Sequence, residues 1–259
     1  MKSRALKNYS IPLAFIAAAI ILWELAVRVS SAPGWLLPGP GQVLVTLKSS
    51  LPLLYHHSQS TVLAALTGLL AAVIVALLLS FLMALSPIIR QGLYPLIVTS
   101  QTIPIIAVAP LFIILFGYGL MPKIVVVALV CFFPLAVSIV EGMEASDPET
   151  VNMLQVMGAS PRQIIKLVKL PAALPSFFAG LKIAATYAVM GAVIGEWLGA
   201  TKGLGLFMTR ATHAYQMSSV LAAVVVITFI SLFIFFTVEV LARLFMPWYY
   251  KGKGENHQI

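Results

Sequence analysis

Apolar residues dominate this chain in long runs, and polar residues gather in the short segments between them. A helix needs about 20 apolar residues to cross the hydrocarbon core of a bilayer, and irregular backbone cannot face lipid. Six runs are of this order, so each is predicted to be a membrane-spanning helix. The predicted spans are residues 11–27, 60–85, 93–116, 124–140, 177–198 and 220–246.

Composition agrees with this pattern. The 259 residues are 61% hydrophobic and 9% charged, with a mean hydropathy of +1.02, values outside the range of soluble domains. The basic residues Lys2, Arg4 and Lys7 before the first run are also typical of a secretory signal. Because Glu24 and Arg28 follow the run without a clear cleavage pattern, it is predicted to be a retained span of an all-α membrane protein.

The positions of Lys and Arg predict the orientation. With the amino terminus inside, eleven of the sixteen cations lie in cytoplasmic segments or at inner helix ends, which favours two cytoplasmic termini. The net charge of +8 is therefore interpreted as a topology signal. A nucleic-acid-binding protein would gather its cations on one soluble face, and this chain has no such face in its sequence pattern.

Motifs of catalysis and metal binding are missing from the sequence. No G-x-x-x-x-G-K-[ST], H-E-x-x-H or G-x-S-x-G pattern occurs, and the single cysteine, Cys131, lies inside the fourth predicted span. The glycine-rich residues 199–205 have the wrong spacing for a phosphate loop and are interpreted as a flexible outer connection. His56 and His57 are predicted to be surface residues. The sequence thus predicts no catalytic residue and no bound metal.

One long polar segment, residues 141–171, interrupts the apolar runs. Asp147-Pro148-Glu149 is typical of a helix start, because an acidic N-cap, a proline at the first position and negative charge all suit it. Gly158 can adopt the positive φ of a helix end, and Ser160 and Gln163 have capping-box spacing. We therefore expect two short cytoplasmic helices joined at Gly158, the second ending near Leu170 because Pro171 and Pro175 follow.

The apolar and basic faces of these helices suggest that the segment docks on a soluble partner. Val151, Leu154 and Met157 repeat at three-residue spacing in the first helix. The alternative is that these residues pack back on the protein's own helix ends, while the cations of the second helix meet lipid headgroups.

Polar residues and prolines inside the spans are candidates for lining a pathway. Prolines free backbone carbonyls, which are tolerated at membrane depth only beside protein or water, and an ionisable residue there is a pathway candidate. The alternatives are packing kinks, hydrogen bonds across helices and a carboxylate at headgroup level. The candidates are Gln101, Pro104, Pro110, Ser138 and Glu196.

The polar segment resembles the cytoplasmic signature of permease subunits of bacterial ATP-binding-cassette (ABC) importers. That signature reads Glu-Ala-Ala, three residues, Gly, nine residues, Ile-x-Leu-Pro. Here Gly158 is followed by nine residues and then Val168-Lys169-Leu170-Pro171, so the glycine, the spacing and the Leu-Pro match. Asn152-Met153-Leu154 stands in place of Glu-Ala-Ala, which weakens any role for a carboxylate at position 152 but leaves the turn geometry intact.

Further segments are similar to the nitrate, sulfonate and taurine branch of these permeases, which includes importers of thiamin-precursor pyrimidines. They include IPIIAVAPLF at 103–112, FGYG at 116–119 and GEWLGA at 195–200. The similarity extends over residues 58–249. It implies a permease core there, a separate N-terminal helix and outer segment at 1–57, and a cytoplasmic tail at 250–259.

The resemblance implies a six-helix, type I ABC importer permease of MetI-like architecture in a bacterial inner membrane. It further implies a pathway made by two copies of the chain, two ATPase subunits that use ATP and Mg²⁺, an extracytoplasmic substrate-binding protein, and no cofactor on this chain. Residues implied in ATPase coupling are Asn152, Met153, Leu154, Met157, Gly158, Ala159, Ser160, Arg162, Leu170 and Pro171.

Two classes of transporter stay open at the level of the residues alone. An ion-coupled secondary carrier would rely on buried acidic residues, whereas no carboxylate falls near the centre of a predicted span. The well-formed polar segment favours the importer. Within the importer class, the resemblance leaves nitrate, alkylsulfonates, taurine and a pyrimidine as possible solutes.

Overall fold

The computed structural model describes residues 2–30 and 33–250, and within these ranges it is helical and contains no strand. The predicted tail, 250–259, lies outside the described residues except for Tyr250. The helices are α1 Lys2–Ser30, α2 Pro40–Ser49, α3 Leu51–Leu85, α4 Pro87–Ser100, α5 Ile105–Phe116, α6 Leu120–Glu144, α7 Pro148–Val156, α8 Pro161–Ile164, α9 Leu170–Trp197, α10 Leu204–His213 and α11 Met217–Phe245. A π-helical turn, Ile165–Lys169, joins α8 to α9.

Five of the helical stretches in the described part of the chain are long and apolar enough to span a membrane, and the bent pair α4 and α5 makes a sixth. The straight spans are Ser10–Ser30, Leu51–Leu85, Leu120–Glu144, Pro161–Trp197 and Met217–Phe245. The prediction of an all-α membrane protein with six spans is confirmed, with one change in the third span.

The third span is not the single helix predicted for residues 93–116. Helices α4 and α5 meet at 100°. The chain leaves the helix because Pro104 has no N–H to donate, and the Thr102 and Ile103 N–H groups turn back to Thr99 O at 3.0 Å and Ser100 O at 3.2 Å. Pro104 then precedes α5 as its N-cap, whereas Pro110 lies within the helix.

The bent pair still crosses from one end of the bundle to the other. Near the start of α4, Arg90 pairs with Glu144 at the end of α6, the end that carries α7. Beyond α5, the ring of Tyr118 lies against Gly199, which follows the far end of α9. The pair is therefore one broken span and not a loop that re-enters on the same side.

The predicted helix end near Leu170 is wrong. Helix α8, the π-helical turn and α9 form one helical stretch from Pro161 to Trp197. In the π turn the Leu170 N–H bonds Ile165 O, five residues back. The widened turn makes room for the ring of Pro171, which would otherwise meet the carbonyl four residues before it.

Helices α3, α6 and α9 form the core, and glycines bring them together. A Cβ on Gly142 would lie 2.6 Å from Ser176 Cβ, and one on Gly180 would lie 2.6 Å from Ser138 Oγ. Gly191 meets the Val127 backbone in the same way. Small residues at such contacts let helix backbones approach closely, so α6 and α9 pack along their length as a pair.

Candidate functional site

The first candidate site is the coupling segment, which we define as residues 147–165. The Asp147 carboxylate accepts from the Glu149 N–H at 3.1 Å and the Thr150 N–H at 3.2 Å, and the Thr150 hydroxyl also donates to it. These hydrogen bonds, first that of the Thr150 hydroxyl, lower the pKa of Asp147 below its ordinary value. The predicted start of α7 is confirmed.

A glycine-dependent turn ends α7. Gly158 has φ +82°, its N–H bonds Gln155 O at 3.0 Å, and the Ala159 N–H bonds Leu154 O at 2.9 Å. This pair of bonds is a Schellman motif, in which the glycine takes the left-handed conformation. The predicted turn at Gly158 is confirmed.

A capping box starts α8 two residues after the glycine. The Ser160 N–H donates to Gln163 Oε1 at 2.7 Å, and the Gln163 N–H donates to Ser160 Oγ at 3.4 Å. The box was predicted from spacing, and the structure confirms it. The segment therefore satisfies its helix ends with its own side chains, which lets it stand outside the spans as a formed element.

Apolar side chains of the segment point away from the bundle. Helix α7 has no buried residue. Val156 is 90% exposed, Met157 73% and Met153 56%. At the other end of the segment, Ile164 and Ile165 are buried and attach it to the spans. Three exposed apolar side chains on a capped helix form a surface suited to a groove on a partner.

The residues predicted for ATPase coupling lie in two parts of this region. Those from 152 to 162 belong to the exposed helix–turn–helix, whereas Leu170 and Pro171 lie beyond the π turn, in the first turn of α9. Leu154 and Ala159 are half-buried, and the others are exposed: Asn152, Met153, Met157, Gly158, Ser160, Arg162, Leu170 and Pro171.

The second candidate site is a groove of about 700 Å³ along the break between α4 and α5. One wall is the break itself, and the others are α6 and α9. Its lining includes Ser100, Gln101, Ile103–Ile106, Val108, Leu129, Val130, Phe132–Pro134, Ile183, Tyr187, Met190 and Ile194. Its size is within the range of small-molecule sites.

The predicted pathway residues do not all line this groove. Gln101 and Pro104 do. Pro110 is exposed on α5, and Ser138 packs against Gly180 between α6 and α9. Glu196 is fully buried elsewhere, in a polar cluster at the end of the bundle opposite α7, which is the end predicted to be the outer one. The structure therefore brings two of the five predicted pathway residues together at the groove.

The outer polar cluster, our third site, consists of Glu196, Thr61, Lys123, His57 and the residues 202–205 that they bind. The Thr61 hydroxyl donates to the Glu196 carboxylate at 3.0 Å, and the Gly205 N–H donates to Glu196 Oε2 at 2.8 Å. Lys123 Nζ lies 3.4 Å from Glu196 Oε1. Glu196 is therefore enclosed by protein groups, and its location at headgroup level, one alternative from the sequence, stays a prediction.

Hydrogen bonds of the cluster hold the connection between α9 and α10 against α3 and α6. Lys123 Nζ donates to Lys202 O at 2.6 Å, the Gly203 N–H donates to His57 Nδ1 at 3.1 Å, and the Leu204 N–H donates to Thr61 Oγ1 at 2.9 Å. The interpretation of residues 199–205 as a flexible connection is contradicted by these bonds. His57 is also not a surface residue, since it is 7% exposed.

Sequence reasoning missed Lys123, Thr61 and His57 as members of this cluster. They stand 73, 135 and 139 positions from Glu196, and no local pattern links residues so far apart. One signal was available for Lys123. A lysine beside an apolar span must find a counter-charge when it is buried, and Glu196 is the acidic residue predicted at the same outer end.

These features define a class: a polytopic membrane protein whose polar helix pair is exposed at one end and whose spans are tied together at the other. A family model described as the binding-protein-dependent transport system inner membrane component matches residues 68–249. The chain belongs to this family.

Curated relatives agree with the family. The chain is 35% identical to the formylaminopyrimidine transport permease protein ThiX of Halalkalibacterium halodurans, over 92% of the chain and 95% of the relative. It is 32% identical to the riboflavin transport system permease protein RibX of Chloroflexus aurantiacus, over 88% and 86%. It is 28% identical to the taurine transport system permease protein TauC of Escherichia coli, over 94% and 91%.

The fold agrees as well. The inward-facing MetNI methionine ABC transporter contains a chain that matches with a TM-score of 0.67 at 19% identity, covering 76% of this chain and 97% of that one. The predicted type I importer architecture is confirmed. The chain is thus the permease subunit of an ABC importer and forms the pathway for a small solute through the inner membrane. It is not an enzyme, since the ATPase of such an importer is a separate subunit.

Proposed function

We propose that the ATPase binds this permease at the coupling segment. A single observation carries the proposal: α7 is capped at both ends yet has no buried residue, and its apolar side chains Met153, Val156 and Met157 are exposed. A formed helix that leaves such residues uncovered beyond the spans is suited to a partner's groove. Asn152 stands where the family signature has an acidic residue, so this contact includes no carboxylate at position 152.

The route from this contact to the pathway is a single helical stretch. Helix α8 continues through the π turn into α9, and α9 carries Ile183, Tyr187, Met190 and Ile194 on the groove wall. ATP binding that draws two ATPase subunits together would move the two coupling segments and, through α9, change the groove. Nucleotide then shifts the permease between inward-open and outward-open states.

The assembly we propose has two copies of this chain, two ATPase subunits that use ATP and Mg²⁺, and one extracytoplasmic binding protein. Residues 58–249 form the permease core, and residues 1–57 add the first span and an outer segment. Both termini are cytoplasmic, because that orientation puts most Lys and Arg inside. The coupling segment then faces the ATPase, and the outer polar cluster faces the side from which solute arrives.

The solute is a small molecule of the kinds named for the relatives. Those names give two chemical types, an uncharged ring compound such as formylaminopyrimidine and a sulfonate such as taurine. Gln101 and Pro104 line the groove that we propose as the pathway. We assign Pro110 and Ser138 to packing and Glu196 to the outer polar cluster, because none of them lines this groove.

The test replaces Gly158 with valine in the intact importer. A β-branched residue cannot adopt φ +82° without strain. The turn should therefore deform, and the ATPase should bind the permease more weakly. We expect at least a tenfold fall in the ATP hydrolysis that the loaded binding protein stimulates. The measurement is phosphate release by the importer in proteoliposomes, together with the amount of ATPase that co-purifies with the permease.

The matched control is Gly92→Val. Gly92 lies near the same end of the bundle, in α4, where it has ordinary helical backbone and open space around its Cα. We expect this variant to keep stimulated hydrolysis within twofold of the unchanged importer. Equal stimulated hydrolysis and equal co-purification of the ATPase in the two variants would overturn the proposal.

A further inference from the structure

The groove at the α4–α5 break cannot face lipid. Residues 101–104 are non-helical, and they lie between Arg90 at one end of the broken span and Tyr118 at the other. Backbone without regular hydrogen bonds is tolerated at this depth only beside protein or in a water-filled cavity. A groove lined by such backbone is therefore covered by a second permease copy, filled by water and solute, or both.

The lining of the groove is mostly aliphatic, includes three aromatic side chains and is uncharged. The aromatic residues are Phe132 and Phe133 from α6 and Tyr187 from α9, and Gln101 supplies an amide at the break. Within the described ranges, no Asp, Glu, Lys, Arg or His lines it. Lys123 and Glu196 are instead paired with each other in the outer polar cluster, and Lys123, Glu196 and His57 each bind the backbone of residues 202–205.

This chemistry distinguishes between the two types of solute. A sulfonate or nitrate ion at membrane depth loses its hydration and needs a cation to replace it, which the lining lacks. A planar nitrogen heterocycle loses less hydration, can stack on the aromatic side chains, and can exchange hydrogen bonds with the Gln101 amide, which both donates and accepts.

We propose that this groove is the membrane-depth binding site for an uncharged, planar nitrogen heterocycle of pyrimidine size, and that it disfavours organic anions. The inference rests on the proposed function, in which two copies of the chain enclose the pathway. Two-fold symmetry then puts a second set of the same side chains on the opposite wall. The solute passes between two apolar surfaces that each carry Phe132, Phe133 and Tyr187, with Gln101 from each copy as its polar contact.

The test measures thiol reactivity at the groove in the intact importer. Cys131 is the one cysteine, so Cys131→Ala gives a cysteine-free background. Ser100→Cys and Met190→Cys then report from two walls of the groove and leave Gln101 in place, and Ile114→Cys reports from an exposed position on α5 outside the lining. The probe is a charged, water-soluble methanethiosulfonate applied to proteoliposomes.

We expect both groove cysteines to react at least tenfold faster than Cys at position 114. Millimolar 4-amino-2-methylpyrimidine should slow their modification at least threefold, and the same concentration of ethanesulfonate, an organic anion without an ammonium group, should leave it unchanged. Slow modification of both groove cysteines would mean that the groove holds no water, and the proposal would fail. Protection by ethanesulfonate that equals or exceeds that by the pyrimidine would also overturn it, since anion binding would then occur without a cation.

These outcomes are separable from failure of the proposed function. If Gly158→Val leaves stimulated hydrolysis unchanged while the groove cysteines are still protected by the pyrimidine, the coupling assignment fails and the binding site stands. If Gly158→Val uncouples the importer but ethanesulfonate protects the cysteines, the pathway assignment stands and the solute class is wrong. Two reporter positions guard against one variant that fails to fold.

Discussion

The coupling segment and the outer polar cluster lie at opposite ends of the same helix stretch and are held in opposite ways. In the coupling segment, the capping bonds and turn bonds join residues two to five apart, and α7 has no buried residue. In the cluster, the bond from Thr61 to Glu196 spans 135 positions, and both side chains are fully buried.

This difference has a mechanical consequence. A segment held by local bonds keeps its shape when it moves relative to the rest of the molecule, because none of those bonds has to break. The cluster joins α3, α6, α9 and the start of α10, so moving any of these elements breaks hydrogen bonds to buried charges, which is costly. We therefore expect the inner end of the bundle to shift during transport and the outer cluster to stay closed around residues 202–205.

The largest effect on this comparison should come from Glu196→Gln. The change leaves the buried Lys123 ammonium without a counter-charge, and breaking one side of a buried ion pair costs about 3–5 kcal/mol. The measurement is denaturant-induced or thermal unfolding of the permease in detergent. Loss of the coupling-segment cap by Ser160→Ala, by contrast, should cost about 1 kcal/mol and should leave global unfolding nearly unchanged.

The double variant Lys123→Met with Glu196→Gln tests the reason for that loss. Removing both charges should recover a large part of the stability, because an uncharged pair of similar volume does not require buried charges to be compensated. If the double variant were as unstable as Glu196→Gln, the loss would have to come from the Thr61 and Gly205 hydrogen bonds and not from the uncompensated lysine.

The same glycine-to-alanine change at each end sharpens the comparison. Gly203 has φ +139°, and a Cβ there would lie 2.0 Å from Glu196 Cδ, whereas Gly158 has φ +82° and open space around it. Gly203→Ala should therefore add overpacking of about 1–3 kcal/mol to backbone strain, while Gly158→Ala should add strain of about 1–2 kcal/mol alone. Unfolding in detergent measures the loss at Gly203, and amide hydrogen exchange in α7 and α8 measures the local loss at Gly158. Equal losses would show that the cluster adjusts to the added methyl group.

The sequence predicted the coupling segment well because its determinants are local. Asp147, Gly158 and the Ser160–Gln163 pair act within a few residues of their own positions, so spacing alone identifies the caps and the turn. The six spans were predicted for the same reason, since the length and hydropathy of each apolar run are sufficient to indicate a membrane-spanning helix.

The outer polar cluster was beyond prediction for the opposite reason. Glu196 was identified as an ionisable residue near a span end, but its burial depends on Thr61 and Lys123 from other helices. His57 was assigned to the surface because its partner, the Gly203 N–H, is 146 positions away. Residues 199–205 were predicted to be flexible because they are rich in glycine. The sequence does not show the hydrogen bonds that hold residues 202–205 against His57, Thr61, Lys123 and Glu196.

Two prolines show where local rules need tertiary context. Pro104 ends a helical path and leaves α4 and α5 at 100°, as the missing N–H suggests. Pro171 was expected to act likewise, yet the helix continues through a π turn. The difference lies in packing: just after Pro171, α9 is pressed against α6, where Gly142 meets Ala173 and Ser176, so a widened turn is favoured over a bend.

The smallest expected effect is a pH dependence confined to the coupling segment. Hydrogen bonds from Thr150 and Glu149 lower the pKa of Asp147, so the cap contributes its full stability above the ordinary carboxyl pKa of about 3.9. The contribution is lost as the pH falls through the lower pKa of the folded state. Amide hydrogen exchange at Glu149 and Thr150, corrected for intrinsic exchange, should therefore accelerate as the pH falls below about 3.9.

Asp147→Asn and the Gln163 amide provide the controls for this prediction. Asparagine keeps an acceptor at the N-cap but does not titrate in this range, so the variant should show no pH-dependent loss of protection at 149 and 150. The Gln163 N–H bonds the Ser160 hydroxyl, which also does not titrate, so its protection should stay constant in both proteins. A parallel loss at Gln163 would mean that the whole coupling segment unfolds in acid, and that its two helices are less independent than their local bonds indicate.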